Sequence, residues 1–200
     1  MSNIIYEYGN SLYLNITNKC PCACTFCLRE QVSGVGSAAS LWLENEPNAE
    51  RIISLLSDTN LESYEEVVFC GFGEPFCALD NLLEICRYLR GRADCPPVRI
   101  NTNGLSDLIN EKPTASLLHG LVDVVSVSLN APDKKKYYDL CKPSFGECAF
   151  DAMIRFAVEC KAYVPDVRFS VVDVISSEDI DKCREIAREL EIPLRIRGAE

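Results

Sequence analysis

Short apolar runs alternate along the chain with longer stretches in which apolar residues recur at helical spacing. The apolar runs predict six strands, at 11–17, 65–71, 97–102, 122–130, 166–174 and 193–198. The helical pattern predicts helices between them, at about 47–58, 78–91, 105–118, 147–162 and 177–191, the last with Ser177 and acidic residues at a capped start. Strands that alternate with helices form parallel βαβ units, so we expect one α/β domain over residues 1–200.

Apolar and polar side chains also alternate within the predicted strands. In the stretch 125–130, valine or leucine alternates with serine or asparagine, and Arg195 and Arg197 alternate with apolar neighbours. A doubly wound sheet buries both faces and favours continuous apolar runs instead. One polar face indicates a barrel whose lumen holds a polar ligand. We therefore expect an incomplete (β/α)6 TIM-like barrel with its site at the carboxyl ends of the strands.

Composition and charge narrow the functional classes. The chain is 48% hydrophobic and 25% charged, which is typical of a globular protein. Its formal net charge of −10 argues against broad binding to nucleic-acid phosphates. No apolar run approaches the length of about 20 residues that a membrane span needs, and the start lacks the pattern of a signal peptide. We expect a cytoplasmic protein with no membrane partner.

Cysteine use is the most specific chemical signal. Four of the twelve cysteines lie within 20–27, and a dense group in a chain without an export signal indicates metal or redox chemistry. Cys20, Cys24 and Cys27 follow the first predicted strand with the spacing C-x3-C-x2-C. Three thiolates can hold three irons of a [4Fe–4S] cluster and leave one iron open, as in a catalytic metal site. Cys22 falls outside this spacing and is expected not to bind iron.

Other uses of the cysteines stay open. A structural zinc site in an interaction module would prefer two C-x2-C pairs with a longer spacer. A closed cluster in an electron carrier would take four cysteines. Cys141 and Cys148 could belong to a second cluster, although the sequence offers no third ligand beside them.

The segment "CPCACTFC" (20–27) resembles the cysteine signature of radical S-adenosylmethionine (SAM) enzymes, with Phe26 in the aromatic position. "GFGEP" (71–75), "NTNG" (101–104) and "SLN" (128–130) resemble further motifs of that family. The resemblance covers essentially the whole chain. It is strongest to the small radical SAM proteins that are associated with TatD-type nucleases.

The resemblance implies a cofactor pair and a reaction. The open iron of the [4Fe–4S] cluster would bind the amino and carboxylate groups of SAM. Reductive cleavage of SAM would give a 5′-deoxyadenosyl radical, which abstracts hydrogen from an unidentified substrate. A low-potential donor of the flavodoxin or ferredoxin type would supply the electron. Six strands leave a wide mouth, so the substrate could be a macromolecule; a glycyl-radical-enzyme activase is the alternative within the family.

The resemblance also assigns residues. Cys20, Cys24 and Cys27 would be the metal ligands. Glu74 would accept a hydrogen bond from the SAM ammonium, and Arg197 would face the SAM carboxylate or an acidic substrate, unless it pairs with Asp173 or Glu200. The full set of implied cofactor-binding residues is Phe26, Gly71, Gly73, Glu74, Asn101, Asn103, Ser128, Asn130 and Arg197, in which the glycines admit close backbone approach and Ser128 and Asn130 suit ribose hydroxyls.

Overall fold

The computed structural model describes residues 3–198. Among these residues, seven strands form one sheet in the order β1 to β7, in which β1 and β2 are antiparallel and all later neighbours are parallel. The strands are β1 (Ile5–Tyr8), β2 (Ser11–Leu14), β3 (Glu66–Phe69), β4 (Val98–Thr102), β5 (Val124–Ser128), β6 (Asp166–Val172) and β7 (Leu194–Arg197). The helices are α1 (Ala49–Ser57), α2 (Leu79–Arg90), α3 (Ser106–Asn110), α4 (Lys134–Cys141), α5 (Cys148–Cys160) and α6 (Ser177–Glu189). This is the partial TIM-like barrel that the strand pattern predicts.

The structure corrects several details of the predicted elements. Strand β1 was not predicted; it joins β2 through a hairpin that turns at Gly9, where φ is +58°. Helix α4 was not among the helices predicted between the strands, although the lysine run at 133–140 indicates a solvated helix start. The helix expected at 105–118 ends at Asn110, and a separate 3-10 turn follows at Ala115–Leu118. The cap of α6 is Ser176 rather than Ser177, since the Ser176 side chain accepts a hydrogen bond from the Asp179 amide.

The two faces of the sheet differ as expected. The apolar rows, such as Leu12 and Leu14 on β2 or Val125 and Val127 on β5, pack in the main core with the helices. The residues between these apolar positions point to the other side of the sheet, and the strand register places them side by side on a polar concave face. This face includes Tyr13, Arg99, Asn101, Ser126, Ser128, Arg168, Ser170, Arg195 and Arg197. No helix within residues 3–198 is long and apolar enough to cross a membrane.

One end of the concave face is covered by the chain itself. Ala38 and Leu41 pack with Tyr6 and Phe72 in a second, small apolar cluster. The Asn15 side-chain amide donates a 2.7 Å hydrogen bond to the Leu41 carbonyl. The segment that contains Ala38 and Leu41 therefore covers the β1–β2 end of the face, whereas Arg195 and Arg197 on β7 at the other end are exposed.

Candidate functional site

The cysteine loop, residues 18–30, follows β2 and runs beside the carboxyl end of α4. The Ala23 amide donates to the Cys141 carbonyl at 3.1 Å, and the Thr25 amide donates to the Leu140 carbonyl at 2.9 Å. An isolated β-bridge pairs Cys22 with Pro143. These contacts fix the loop on the carboxyl-end side of the sheet, where the sequence placed the site.

The four thiols of the loop differ in exposure. Cys20, Cys24 and Cys27 are half-buried, whereas Cys22 is buried, with 5% of its surface exposed. Cys22 lies within hydrogen-bonding contact of both the Cys20 and Cys24 thiols. The three cysteines of the expected spacing are thus the accessible ones, and Cys22 packs among them from the core side.

Neighbouring thiols favour the thiolate at two positions. A hydrogen bond from Cys141, with a further one from Cys22, lowers the pKa of Cys24 to about 4. A hydrogen bond from Cys22 lowers the pKa of Cys20 to about 7, and the nearby Arg29 acts in the same direction. Burial raises the pKa of Cys27. Thiolates are the form of cysteine that binds metals, so the lowered pKa values favour the metal-binding form at Cys20 and Cys24.

The donor set suits iron–sulfur chemistry, because soft thiolates on one loop are the usual ligands of such clusters. Within residues 3–198, no three Cys, His, Asp or Glu side chains converge closely enough to hold a single metal ion. Cys148, in contrast to Cys141, is exposed, and its thiol donates to the Phe145 carbonyl.

Glu74 is a buried carboxyl next to the cysteine loop. Its side chain is 4% exposed and accepts hydrogen bonds from the Thr102 hydroxyl at 2.7 Å and the Asn103 amide at 2.7 Å. Its own amide donates to the Lys19 carbonyl at 2.8 Å. Burial raises the pKa of Glu74 to about 8, although these hydrogen bonds oppose the shift. No cationic side chain within residues 3–198 makes an ion pair with it, so it suits a ligand that brings a positive or hydrogen-bond-donating group.

At Gly71 and Gly73 other parts of the chain approach the glycine backbone closely. The approaching groups are residues of the protein itself. A Cβ at Gly71 would lie 2.0 Å from the Asn15 side-chain oxygen. A Cβ at Gly73 would lie 2.2 Å from the Thr17 carbonyl oxygen, at the root of the cysteine loop. The two glycines therefore let the loop after β3 pack against β2 and the cysteine loop.

Two of the expected asparagines face sulfur atoms. The Asn103 Nδ2 atom lies 3.9 Å from Cys20 Sγ and 3.7 Å from Cys22 Sγ. The Asn130 Nδ2 atom lies 3.9 Å from Cys141 Sγ, and its Oδ1 atom accepts a 3.4 Å hydrogen bond from the Val172 amide. Asn130 is buried and has a φ of +57°. The amide of Asn130 is thus already engaged within the protein, which was not expected of a ribose contact.

The remaining expected residues lie farther along the concave face or beside the core. Asn101 accepts a 3.3 Å hydrogen bond from Arg99, and the half-buried Ser128 lies opposite Ser170 on β6.

Arg197 is exposed, and no carboxylate within residues 3–198 pairs with it. Of the two partners considered for it, Asp173 donates only its amide to the Arg197 carbonyl, and Glu200 lies outside the described residues. Phe26 is half-buried against the main core.

Arg29 is a functional candidate that the sequence reasoning missed, and Cys141 was considered only as a ligand of a second cluster with Cys148. Cys141 lies far from the motif in sequence and belongs to α4, which was not among the helices predicted between the strands. With α4 assigned, the spacing of Tyr137 and Cys141 would have placed both on one helix face. Both are buried, with 1% of their surface exposed. Arg29, two residues after the last loop cysteine, could have been noted as a cation beside thiolates.

A family model described as Radical SAM superfamily matches residues 14–190. No curated protein matches the chain. Neither result supports the narrower resemblance to the TatD-nuclease-associated proteins.

Solved structures resemble the chain in fold. SuiB from Streptococcus suis bound to the precursor peptide SuiA is 21% identical with a TM-score of 0.70, and the match covers 99% of this chain and 41% of that one. SuiB bound to S-adenosylmethionine is 19% identical with a TM-score of 0.70, covering 96% and 41%. A radical SAM methyltransferase from Sphaerobacter thermophilus is 16% identical with a TM-score of 0.65, covering 97% and 68%. The chain thus spans about two fifths of the length of SuiB.

Proposed function

The chain belongs to the radical SAM superfamily, and from that premise we propose that it is an enzyme that uses SAM to abstract hydrogen from a large substrate. The observation that carries the proposal is the buried Glu74 carboxyl, which lies beside three accessible loop cysteines and has no cationic partner among the described residues. Ionisation of a buried carboxyl without a cationic partner is costly, and this cost raises the pKa of Glu74 to about 8. A bound SAM would relieve that cost by offering its amino group.

Cys20, Cys24 and Cys27 are the residues that would hold the [4Fe–4S] cluster. Their half-buried thiols, and the lowered pKa values of Cys20 and Cys24, support this set. When bound and reduced, the cluster supplies the electron that cleaves SAM to methionine and a 5′-deoxyadenosyl radical, which abstracts the hydrogen atom. Cys22, whose backbone pairs with Pro143, would not bind iron, so that three cysteines would hold the cluster.

The chain's own groups would orient SAM. The Glu74 carboxylate, fixed by Thr102 and Asn103, would accept a hydrogen bond from the amino group. Gly71 and Gly73 would act through packing, since they hold the Glu74 loop against the cysteine loop. On the concave face, Ser128 offers a hydroxyl to the ribose.

Four further side chains complete the proposed site. Asn101 and Asn130 each direct their side-chain amide to a sulfur, that of Cys70 and that of Cys141, and would offer SAM the second amide hydrogen. Arg197, which has no acidic partner among the described residues, would face the SAM carboxylate. Phe26 would pack beside the cluster, as its half-buried position allows.

Access to the concave face supports a large substrate. The segment around Leu41 covers the β1–β2 end, whereas β7 at the other end carries the exposed Arg195 and Arg197. A peptide or a loop of a partner protein could enter beside β7. The solved SuiB complex holds a precursor peptide, which is consistent with that substrate class but belongs to a protein of greater length.

The alternatives gain no comparable support. A non-catalytic electron carrier gives no role to the buried Glu74. A glycyl-radical-enzyme activase would use the same cofactors, but the family match and the similar structures do not favour it.

The test is anaerobic reconstitution of the full chain with iron and sulfide, followed by reduction with dithionite or a reduced flavodoxin in the presence of SAM. Mass spectrometry should detect 5′-deoxyadenosine, and a screen of peptides should find one that loses hydrogen or gains a bond. The Cys24→Ala protein is the matched control. A reconstituted four-iron protein that binds SAM but yields no 5′-deoxyadenosine with any reductant would contradict the proposal.

A further inference from the structure

Cys141 is a buried thiol that belongs to none of the motifs yet lies at the cysteine loop. The amides on either side of Cys24, those of Ala23 and Thr25, donate to the carbonyls of Cys141 and Leu140 at 3.1 and 2.9 Å. The end of α4 therefore fixes the backbone on both sides of Cys24 through hydrogen bonds. The backbone pairing holds the Cys141 side chain next to that of Cys24.

The side chains continue this arrangement. The Cys141 thiol hydrogen-bonds the Cys24 thiol, and the Asn130 Nδ2 atom donates to Cys141 Sγ at 3.9 Å. Asn130 is itself fixed, because its Oδ1 atom accepts from the Val172 amide at 3.4 Å. Cys141 and Asn130 are 1% and 5% exposed. The hydrogen bonds thus form a chain: Asn130, just after β5, donates to Cys141, and the Cys141 thiol donates to the sulfur of Cys24.

Hydrogen bonds to cluster sulfurs are one of the means by which a protein sets the reduction potential of iron–sulfur centres. Reduction adds negative charge to the cluster and its thiolates. A donor aimed at a ligand sulfur stabilises the reduced form more than the oxidised form. Its removal should therefore make the potential more negative.

We propose that Cys141 does not bind iron but donates its S–H to the Cys24 ligand, positions that ligand and raises the reduction potential of the cluster. The inference rests on the proposed function, in which Cys24 is an iron ligand. The competing role is a fourth ligand. A thiolate in that role would occupy the iron that SAM needs.

The experiment compares Cys141→Ala, Cys141→Ser and wild type as the anaerobically reconstituted full chain without SAM. Iron content and the midpoint potential, followed by electron paramagnetic resonance, are measured for each. Cys160→Ala is the control, because Cys160 is equally buried and lies on α5. Asn130→Gly, which suits the positive φ of that position, tests the donor behind Cys141 should the Cys141 variants fold poorly.

We expect four irons per chain in every variant. The equilibrium constant for reduction should fall by up to about tenfold in Cys141→Ala, which is about 59 mV for a one-electron couple. Cys141→Ser, which keeps a donor, should recover part of the shift, Asn130→Gly should shift in the same direction as Cys141→Ala, and Cys160→Ala should not shift. Loss of iron in Cys141→Ala would make Cys141 a ligand and overturn the proposal, as would an unchanged potential in both Cys141→Ala and Asn130→Gly. An iron-free wild type would instead overturn the proposed function, and this inference with it.

Discussion

The Glu74 carboxylate accepts a 2.7 Å hydrogen bond from the Thr102 hydroxyl. This contact joins the loop after β3 to the end of β4 beneath the cysteine loop. The Asn103 amide binds the second carboxylate oxygen at the same distance. Glu74 is therefore held in place before any ligand arrives, which is the condition for a strong hydrogen bond to a ligand at low entropic cost.

The first prediction concerns SAM affinity. Glu74→Gln should weaken SAM binding and leave the iron content unchanged, because it replaces a charged acceptor, whose hydrogen bond is worth about 1.5–3 kcal/mol, by a neutral amide oxygen. Calorimetry on the reconstituted proteins measures the affinity. Glu66→Gln is the matched control, since Glu66 pairs within the chain with Arg99 at 2.6 Å. Equal SAM affinity in Glu74→Gln and wild type would show that Glu74 does not bind SAM.

The second prediction concerns pH and the stability of the protein without cofactors. The pKa of Glu74 is raised from 4.5 to about 8, so the unfolded chain loses this proton near pH 4.5 and the folded chain near pH 8. The contribution of the protonated carboxyl is fully present below pH 4.5 and is lost as the pH rises to about 8. The free energy of unfolding of wild type, relative to Glu74→Gln, should fall over this window. Denaturant titrations at pH 5 and pH 8 check it, and a constant difference would contradict the raised pKa.

The third prediction concerns the cost of adding a methyl group at Gly71 and at Gly73, which should respond differently to a change at Asn15. Gly71→Ala and Gly73→Ala should each destabilise the fold by roughly 1–3 kcal/mol through overpacking. At Gly71 the obstacle is the Asn15 side chain, so Asn15→Ala should relieve part of the cost in the double variant. At Gly73 the obstacle is backbone of Thr17, and Asn15→Ala should give no relief. Thermal unfolding of the single and double variants decides whether the losses add.

The fourth prediction concerns the arginines of β7. Arg197→Gln should weaken SAM binding if it faces the SAM carboxylate, because no other anion among the described residues pairs with it. Arg195→Gln, on the same strand and face, should have a smaller effect on SAM affinity. The same calorimetry serves both variants. An effect confined to substrate turnover would assign Arg197 to the substrate instead.

Particular residues show what the sequence could and could not predict. Alternation of valine and serine in β5 predicted both the strand and its polar face, because a pleated strand directs successive side chains to opposite sides. The lysine run at 133–140 indicated a solvated helix start, and what it did not indicate was the buried side of α4. Tyr137 and Cys141 are the only two residues of this helix that are buried.

Contacts between distant elements could not be predicted from local patterns. Asn103 was expected at a SAM site or a turn, and only the fold brings its amide near Cys20 and Cys22. Gly71 and Gly73 were expected to let a ligand approach closely, and in the structure residues of the chain itself lie against them. What approaches them, Asn15 and the Thr17 backbone, depends on how β2 and β3 pair.

The last prediction separates the four loop thiols. Cys20→Ala, Cys24→Ala and Cys27→Ala should each lose most of the iron, because a cluster held by two thiolates is labile. Cys22→Ala should keep four irons per chain and the cleavage of SAM to 5′-deoxyadenosine. Two observations support the distinction: Cys22 is the buried member of the four, and its backbone is tied to Pro143.

The measurement is iron and sulfide content together with 5′-deoxyadenosine yield, on proteins reconstituted in parallel. Cys22→Ala also removes a donor to the Cys20 and Cys24 thiols, so its midpoint potential should become more negative while its iron content stays at the wild-type value. Loss of iron in Cys22→Ala but not in Cys27→Ala would replace Cys27 by Cys22 in the ligand set. Loss of iron in all four variants would indicate a cluster with four thiolates, which leaves no iron for SAM and makes the protein an electron carrier.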